Sequence, residues 1–307
     1  MSAMLEHKML HLFGGRMDAW GQDQPEGGGK AIHGPVTADL IRDHLEGRQG
    51  VGIYPMWFQN EKWWVKWGCC DIDTGVWSEA YGLGVTLRAM GFVPFIERSR
   101  SKGWHVWVFS DGPVEAKHMR RALKVAYATC DLQAREANPK TESFPTPDKL
   151  GNYVRLPYKG ALHGYQERQV MMENWDVDTD GTVVPVSVWF GRFDDTCRVH
   201  PGVVEYWSSK WKEPERKRIV DPQISEDALR RMFKSMPTEL FSFIKDGPVG
   251  AGDRSEALVA LAFKMKRAGY SPEETLAAVN AADQRWGKYH LRPDGDLYIL
   301  DIVERTM

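Results

Sequence analysis

The chain has 307 residues, of which 42% are hydrophobic and 27% charged, with 40 Lys and Arg against 42 Asp and Glu. These values are typical of a globular protein of about two domains, and a net charge of −2 argues against a histone-like coating protein. No run approaches the ~20 apolar residues of a membrane-spanning helix, and Glu6, His7 and Lys8 stand where a signal peptide would be apolar, so we expect neither a membrane protein nor a secreted one.

The cysteines match no metal-binding or disulfide pattern. The four are Cys69, Cys70, Cys130 and Cys197, and no two of them form a C-x-x-C pair. Adjacent cysteines suit neither a disulfide framework nor tetrahedral zinc. The sequence therefore predicts a reduced, cytoplasmic protein without a zinc module.

Residues 14–35 are rich in Gly, Asp and Gln, and the run Gly27–Gly29 followed by Lys30 looks like a phosphate-binding loop. Such a loop needs Ser or Thr after the lysine to hold magnesium, where this chain has Ala31, and it needs a preceding buried strand. We therefore predict an ordinary flexible segment here.

Strands and helices then alternate. The predicted elements are helix 37–46, strands 51–54 and 62–73, helix 78–90, strands 92–97 and 104–109, and helix 113–129. Such an order favours an α+β or α/β sheet layer covered by helices. Seven of the thirteen tryptophans lie between Trp57 and Trp107, which we interpret mainly as aromatic core, with base-stacking platforms as the alternative.

The last third of the chain has a different pattern. Basic residues, tryptophans and a proline between Tyr206 and Arg218 predict a linker. Beyond it, helical signals cover 225–234, 253–268 and 271–286. We therefore place a boundary near Asp221 and predict two domains, over 1–220 and 225–307.

Asp71 and Asp73 stand two residues apart at the end of an apolar strand, so both carboxylates project from one face of a sheet. Two such groups can bridge hard cations about 3.5–4 Å apart, the arrangement that aligns an attacking oxygen and a leaving pyrophosphate in nucleotidyl transfer. The same D-x-D pattern also occurs in sugar transferases and at solvated strand ends, so the pattern alone leaves these alternatives open.

A polar turn leads into the following strand. It contains Arg98, Ser99, Arg100, Ser101, Lys102 and Gly103. The glycine allows close approach of backbone to a ligand, and three cations within five residues suit a triphosphate. Alternation places His105 on the face opposite Trp104, and a structural histidine remains the alternative to a ligand-binding one.

The proline-rich stretch from Thr141 to Tyr158 offers further polar groups. Glu142 could add a third carboxylate, and Asn152 and Arg155 could contact a sugar or phosphate. The alternative is a surface loop that runs into a strand.

Taken in order, these segments resemble the archaeo-eukaryotic primase superfamily, and within it the phage and mobile-element primase-polymerases. The resemblance lies in residues 12–18 (LFGGRMD), 44–47 (HLEG), 52–55 (GIYP), 71–73 (DID), 97–107 (ERSRSKGWHVW), 142–145 (ESFP) and 151–158 (GNYVRLPY). It implies an α+β primase-polymerase core with an RRM-like mixed sheet that carries the metal site. Residues 253–304 are similar to the small all-helical domain that often follows such modules.

The resemblance implies a DNA primase-polymerase that makes and extends primers from nucleoside triphosphates on single-stranded DNA. It makes Asp71, Asp73 and His105 catalytic, with the two aspartates binding two Mg²⁺ or Mn²⁺ ions. Glu142 is our choice for the third ligand, with Asp148 and Asp131 as alternatives because many relatives have Asp in that role.

The resemblance also implies a triphosphate pocket, for which the candidates are Arg98, Arg100, Ser101, Lys102, His105, Asn152 and Arg155. Lys210, Trp211 and Lys212 are predicted to contact the template, because cations interleaved with aromatics suit sequence-tolerant single-strand binding. A solvated linker is the alternative for these three.

No Walker motif indicates a fused helicase, so we expect any replicative helicase to act in trans. A phage- or mobile-element-encoded protein in a bacterial host is expected from the resemblance. Two other functions remain open at this point: a metal-dependent D-x-D sugar transferase, and a non-catalytic replication factor that binds single-stranded nucleic acid.

Overall fold

The computed structural model describes residues 2–24, 28–132, 136–164, 166–173, 181–212, 226–247, 254–290 and 295–306. The chain divides into two compact units, Met1–Lys212 and Glu213–Met307. The predicted boundary near Asp221 lies outside the described residues.

Helices and strands both contribute to the first unit, which confirms the α+β class. Its elements are α1 (Ser2–Phe13), β1 (Ala19–Asp23), β2 (Gly29–His33), α2 (Ala38–Leu45), β3 (Val51–Ile53), β4 (Trp57–Gln59), β5 (Lys62–Ile72), α3 (Trp77–Ala89), β6 (Phe95–Arg98), β7 (Trp104–Glu115), α4 (Ala116–Thr129), β8 (Glu136–Asn138), β9 (Val154–Arg155), β10 (Val170–Glu173), β11 (Thr182–Val183), α5 (Val186–Arg192) and α6 (Pro201–Lys210).

Within the described residues the strands form two sheets. The small sheet has the order β2-β1-β3-β9, and the large sheet has the order β11-β10-β6-β7-β5-β4, with β8 also paired to β5. The ladders of both sheets are antiparallel throughout the described residues, whereas a mixed sheet was expected. The long strands β5 and β7 pair from Trp64 opposite Glu115 to Ile72 opposite Trp104, and they form the centre of the large sheet.

Aromatic side chains fill the core beside the large sheet. Trp67 and Trp107 are fully buried with their ring centroids 5.2 Å apart, and Phe13 of α1 meets the Trp107 ring edge-on at 5.1 Å. Trp63, Trp77 and Trp104 are buried as well. Each large apolar side chain buried in this way stabilises the fold by about 1.5–3 kcal/mol. The interpretation of the tryptophans as aromatic core is correct for these five, whereas Trp57 and Trp64 are only partly buried.

The prediction of a flexible segment over 14–35 is wrong. β1 and β2 pair in register from Ala19 opposite His33 to Asp23 opposite Gly29. Only two residues of β1 are buried, and β2 has none, so these strands lack the apolar alternation that identifies a strand in a sequence. Gly28 precedes β2 and Gly29 is its first residue, and residues 25–27 lie outside the described residues.

The predicted linker from Tyr206 begins too early. α6 continues to Lys210, with Pro201 in its first turn and the His200 side chain accepting a hydrogen bond from the Gly202 amide. The side chain of Trp207 donates to the Met90 carbonyl at 2.6 Å and so fixes α6 to the body of the unit. The basic residues at 216–218 lie outside the described residues.

The elements described beyond Lys212 are helices. They are α7 (Glu226–Ser235), α8 (Thr238–Asp246), α9 (Arg254–Arg267), α10 (Pro272–Trp286) and α11 (Gly295–Thr306). The expected N-terminus of α10 is confirmed, because Ser271 and Glu274 form a reciprocal capping box. Asp253, the expected cap of α9, lies outside the described residues. Within the ranges given above, no helix is both long enough and apolar enough to cross a membrane.

Candidate active site

Four titratable residues stand side by side across the large sheet. Asp71 on β5 lies opposite Glu136 on β8 and His105 on β7, and His105 lies opposite Glu97 on β6. Directly opposed residues of antiparallel strands project from the same face, so we call Glu136, Asp71, His105 and Glu97 the cross-strand row. The row crosses the end of β5, and Asp73 follows two residues later.

Glu97 orients His105. The His105 Nδ1 atom lies 2.9 Å from Glu97 Oε2, and the Trp107 indole donates to the same oxygen at 2.6 Å. Glu97 is only 1% exposed, so the acceptor is shielded from water. This arrangement turns the other ring nitrogen, Nε2, toward Asp71, whose Oδ1 lies 3.7 Å away.

His105 is held in its charged form. Burial by itself lowers the pKa of His105, but the charge and hydrogen bond of Glu97, together with the charges of Asp71 and Asp73, outweigh burial and raise this pKa to about 8. The ring is therefore mostly an imidazolium at pH 7, with Nε2–H available as a donor. Such a group can contact an anionic ligand at the end of the row.

Asp71 and Asp73 line a cavity of about 190 Å³ together with Asp131 and Glu79. Burial raises the pKa of Asp71, and the charge of Asp73 adds to the effect, while His105 opposes it. Across the residues that the structure describes, no three His, Cys, Asp or Glu side chains come together closely enough to hold a metal ion alone. Carboxylate oxygens are the ligands that hard cations such as Mg²⁺ prefer, so Asp71 and Asp73 are the candidates in this cavity for holding one.

The polar turn before β7 packs directly against the end of β5. The Ser99 amide donates to the Gly103 carbonyl at 3.0 Å and closes the turn. A Cβ atom at Gly103 would lie 2.4 Å from the Ile72 carbonyl oxygen, so only glycine allows this approach. Ser101 and Lys102 are exposed, and the turn holds them beside the backbone that carries Asp73.

The structure separates the arginines of this region. The guanidinium of Arg98 lies 5.4 Å from the Trp104 ring, and these two residues are cross-strand partners next to the row, so both face away from His105. Arg100 and Arg155 instead converge on Asp23, with Nη1 of Arg100 at 3.4 Å and Nε of Arg155 at 2.5 Å from its carboxylate. The register thus brings His105 to Asp71, and Asp23 brings two of the predicted phosphate-binding arginines together.

The remaining candidates of the proline-rich stretch lie elsewhere. Both oxygens of Glu142 accept from Arg121 on α4, at 2.9 and 2.7 Å, and Glu142 does not line the cavity of Asp71 and Asp73. Asp148 is exposed, and so is Asn152. Of the three residues considered for the third acid, the structure places Asp131 in that cavity.

The predicted template contacts lie at the end of α6. The ammonium of Lys124 on α4 lies 4.8 Å from the Trp211 ring, and that of Lys210 lies 4.7 Å from the Tyr206 ring. Lys212 is exposed. These contacts form a surface of interleaved cations and aromatic rings, which we call the α6 patch.

Sequence reasoning left three residues of this region without a role: Glu97, Glu136 and Asp23. A glutamate inside an apolar strand is a signal that could have identified Glu97, because a buried carboxylate needs partners. Glu136 and Asp23 carry no such signal. Asp23 meets Arg155 across 132 residues of sequence, and only the fold shows that contact.

A comparison with protein-family models agrees with the motifs. Residues 28–177 match the family model described as TOTE conflict system, Archaeo-Eukaryotic Primase domain, which confirms the superfamily resemblance. Among solved structures, the chain is similar to the crystal structure of primase RepB′, with 16% identity, a TM-score of 0.34, and coverage of 99% of this chain and 94% of that chain. A comparison with curated protein sequences finds no match.

Proposed function

We propose that this chain, whose residues 28–177 belong to the archaeo-eukaryotic primase superfamily, synthesises and extends primers from nucleoside triphosphates on single-stranded DNA. The observation that carries the proposal is the meeting of Asp71, Asp73 and His105 at one end of β5 and β7, with the cationic turn packed against them. Carboxylates for a cation and donors for a phosphate are the two groups that nucleotidyl transfer requires.

Asp71 and Asp73 would hold Mg²⁺ or Mn²⁺, and Asp131 is a candidate for a third acid because it lines the same cavity. Bound there, two such cations supply the charge stabilisation that an attacking 3′-hydroxyl and a leaving pyrophosphate require. The chain's own part is to hold Asp71 by the register of β5 with β7 and Asp73 by the turn that packs against Gly103.

We assign the triphosphate to the donors around the turn. The His105 Nε2–H, the Ser101 hydroxyl and the Lys102 ammonium lie on the strand and turn beside Asp73, and Arg100 and Arg155 extend the set of donors from the Asp23 side. Arginine donors arranged as forks suit phosphate oxygens, and lysine adds a point charge. The position of Arg98 over Trp104 favours a supporting role for it instead.

The template would lie along the α6 patch. A single strand stacks its bases on aromatic faces and neutralises its phosphates with Lys and Arg, whatever the sequence. Tyr206 is 55% exposed, the Lys210 ammonium lies beside its ring, and Trp211 and Lys212 follow in sequence. A template bound along the α6 patch would therefore be held whatever its sequence.

The family match favours nucleotidyl transfer over sugar transfer. The cationic turn suits the phosphates of a nucleoside triphosphate and of a nucleotide sugar alike, so the family match carries this preference. A replication factor that only binds nucleic acid needs no paired carboxylates. A primase turns over nucleotides and a factor that only binds does not, so an activity assay separates these two functions.

The test is primer synthesis on single-stranded circular DNA with Mg²⁺ or Mn²⁺, with ribonucleotides and deoxyribonucleotides supplied separately. We expect metal-dependent products that disappear in the Asp71→Asn chain and persist in the matched control Asp39→Asn, whose side chain is 85% exposed on α2. Binding of the template without any incorporation, by a folded chain, would leave the non-catalytic replication factor as the function.

A further inference from the structure

One shielded carboxylate joins two arginines that come from distant parts of the chain. Asp23 is 5% exposed, and its two oxygens face Arg155 at 2.5 Å and Arg100 at 3.4 Å. Asp23 precedes the segment that matches the family model. We infer that Asp23 is a positioning residue that holds Arg100 and Arg155 as a pair facing a polyphosphate, an inference that rests on the proposed triphosphate site.

The small sheet explains why Asp23 reaches Arg155. Gly21 on β1 lies opposite Gly52 on β3, and Gly52 lies opposite Arg155 on β9, so these residues share one face with Asp23. The two glycines leave that face bare, and the Tyr153 ring lies over them, as a Cβ atom on either would come within 2.3 Å of the ring. Neither glycine therefore places a side chain of its own between Asp23 and Arg155.

The pair of arginines is presented to solvent while the carboxylate is not. The side chains of Arg100 and Arg155 are 41% and 31% exposed, against 5% for Asp23. Arg155 also donates to the Gly28 carbonyl at 3.1 Å, which fixes a second edge of its guanidinium. Two guanidinium groups against one carboxylate leave a net positive charge with exposed donors, which suits a polyphosphate anion.

Asp23 also fixes the turn that leads to His105. Arg100 belongs to that turn, and within the described residues Asp23 is the only carboxylate with which it forms an ion pair. Without Asp23, the two guanidinium groups would repel each other and each would be free to sample other rotamers. A donor set ordered before binding gives higher affinity because less side-chain entropy is lost on binding.

Charge and position predict opposite effects for Asp23→Asn. Removal of a negative charge beside the site should strengthen anion binding, whereas loss of the anchor should weaken it. We therefore expect the full chain with Asp23→Asn to bind inorganic tripolyphosphate at least fivefold more weakly than the unchanged chain in calorimetric titration. In nucleotide incorporation the same variant should raise KM for the nucleotide at least fivefold with little change in kcat.

A second variant moves the carboxylate without removing it. A Cβ atom at Gly50 would lie 2.7 Å from the Cβ and Oδ2 atoms of Asp23, so Gly50→Ala displaces the side chain and keeps its charge. We expect the same direction of change as for Asp23→Asn. The matched control is Asp18→Asn, which breaks an ion pair with Arg16 on the same N-terminal segment and should leave tripolyphosphate affinity unchanged.

The combined variant separates positioning from general stability. In a chain that already carries Arg100→Gln and Arg155→Gln, adding Asp23→Asn should cause no further loss of tripolyphosphate affinity, because Asp23 acts through these arginines. Equal or tighter binding by Asp23→Asn, or an additive loss in the combined variant, overturns the inference. If the two arginine substitutions themselves leave tripolyphosphate binding unchanged, the proposed triphosphate site is wrong, and this failure is distinct from the failure of Asp23.

Discussion

The two sheets of the first unit position charged side chains in different ways. In the large sheet, the cross-strand row is set by backbone register, and each member lies opposite its neighbour on a long ladder. In the small sheet, β3 and β9 have three and two residues, and Asp23 and Arg155 meet through a side-chain ion pair. The backbone ladder sets the register of the large sheet, so the partly exposed Asp71 can be changed with little effect on the fold. The small sheet depends more on its side-chain contacts.

This difference predicts the largest effect for the two aspartates beside the row. Asp71→Asn or Asp73→Asn should reduce nucleotide incorporation by at least about 1000-fold, equivalent to about 4 kcal/mol of transition-state stabilisation, because a neutral amide binds a divalent cation poorly. The thermal unfolding temperature should change little, since the register of β5 with β7 comes from the backbone. Incorporation of labelled nucleotide and circular dichroism measure the two properties.

Substantial incorporation by a folded Asp71→Asn chain would contradict the metal site. If Asp71→Asn instead lowers the thermal unfolding temperature strongly, the large sheet depends on this carboxylate for its stability. The contrast between the two sheets would then disappear.

The second effect concerns His44, which supports the small sheet from α2. Its Nδ1 atom accepts from the Val51 amide at 3.2 Å, and Nε2 lies 2.8 Å from the Pro157 carbonyl, so the buried ring is neutral. Burial lowers the pKa of His44 to about 4, while the unfolded chain should titrate near 6.5. Between these values the unfolded chain binds a proton that the folded chain does not.

The contribution of neutral His44 to the free energy of unfolding is therefore fully present above about pH 6.5. It is lost as the pH falls toward 4, by about 3 kcal/mol in total. Urea unfolding followed by tryptophan fluorescence reports the first unit, because all tryptophans except Trp286 precede residue 213. His44→Gln should be less stable than the unchanged chain at pH 7.5, and the difference should shrink at pH 4.5. A difference that does not change with pH contradicts a neutral buried ring.

The contrast between the sheets also explains what the sequence could predict. Alternation along the predicted strand was enough to put His105 on the face opposite Trp104, because period-two patterns are local. The shared face predicted for Asp71 and Asp73 stays a prediction, since β5 ends at Ile72 and Asp73 lies in the following turn. The position of Arg98 needs the register of β6 with β7, and the contact of Asp23 with Arg155 spans 132 residues. The weak apolar pattern of β1 and β2 hid the hairpin that carries Asp23, so a flexible segment was predicted there.

Overpacking of the small sheet is expected to have a smaller effect. A Cβ atom at Gly52 would lie 2.1 Å from the Tyr153 ring, so Gly52→Ala should displace that ring and destabilise the first unit by about 2 kcal/mol. Gly34→Ala is the matched control, since a Cβ atom there meets nothing within 4 Å. Both variants can be compared by urea unfolding. Equal stabilities would show that the packing of the Tyr153 ring does not require a glycine at position 52.

The smallest effect is expected at His105. Both the backbone register and the hydrogen bond to Glu97 position this side chain. His105→Ala should lower incorporation at least tenfold, about 1.4 kcal/mol, and raise KM for the nucleotide while template binding survives. The same substitution leaves Glu97 buried with Trp107 as its one remaining donor among the contacts described above, which by itself destabilises the fold. The double variant His105→Ala with Glu97→Gln removes that buried charge, so it should recover stability but not incorporation. If incorporation returns together with stability, His105 supports the fold of the large sheet and does not contact the triphosphate.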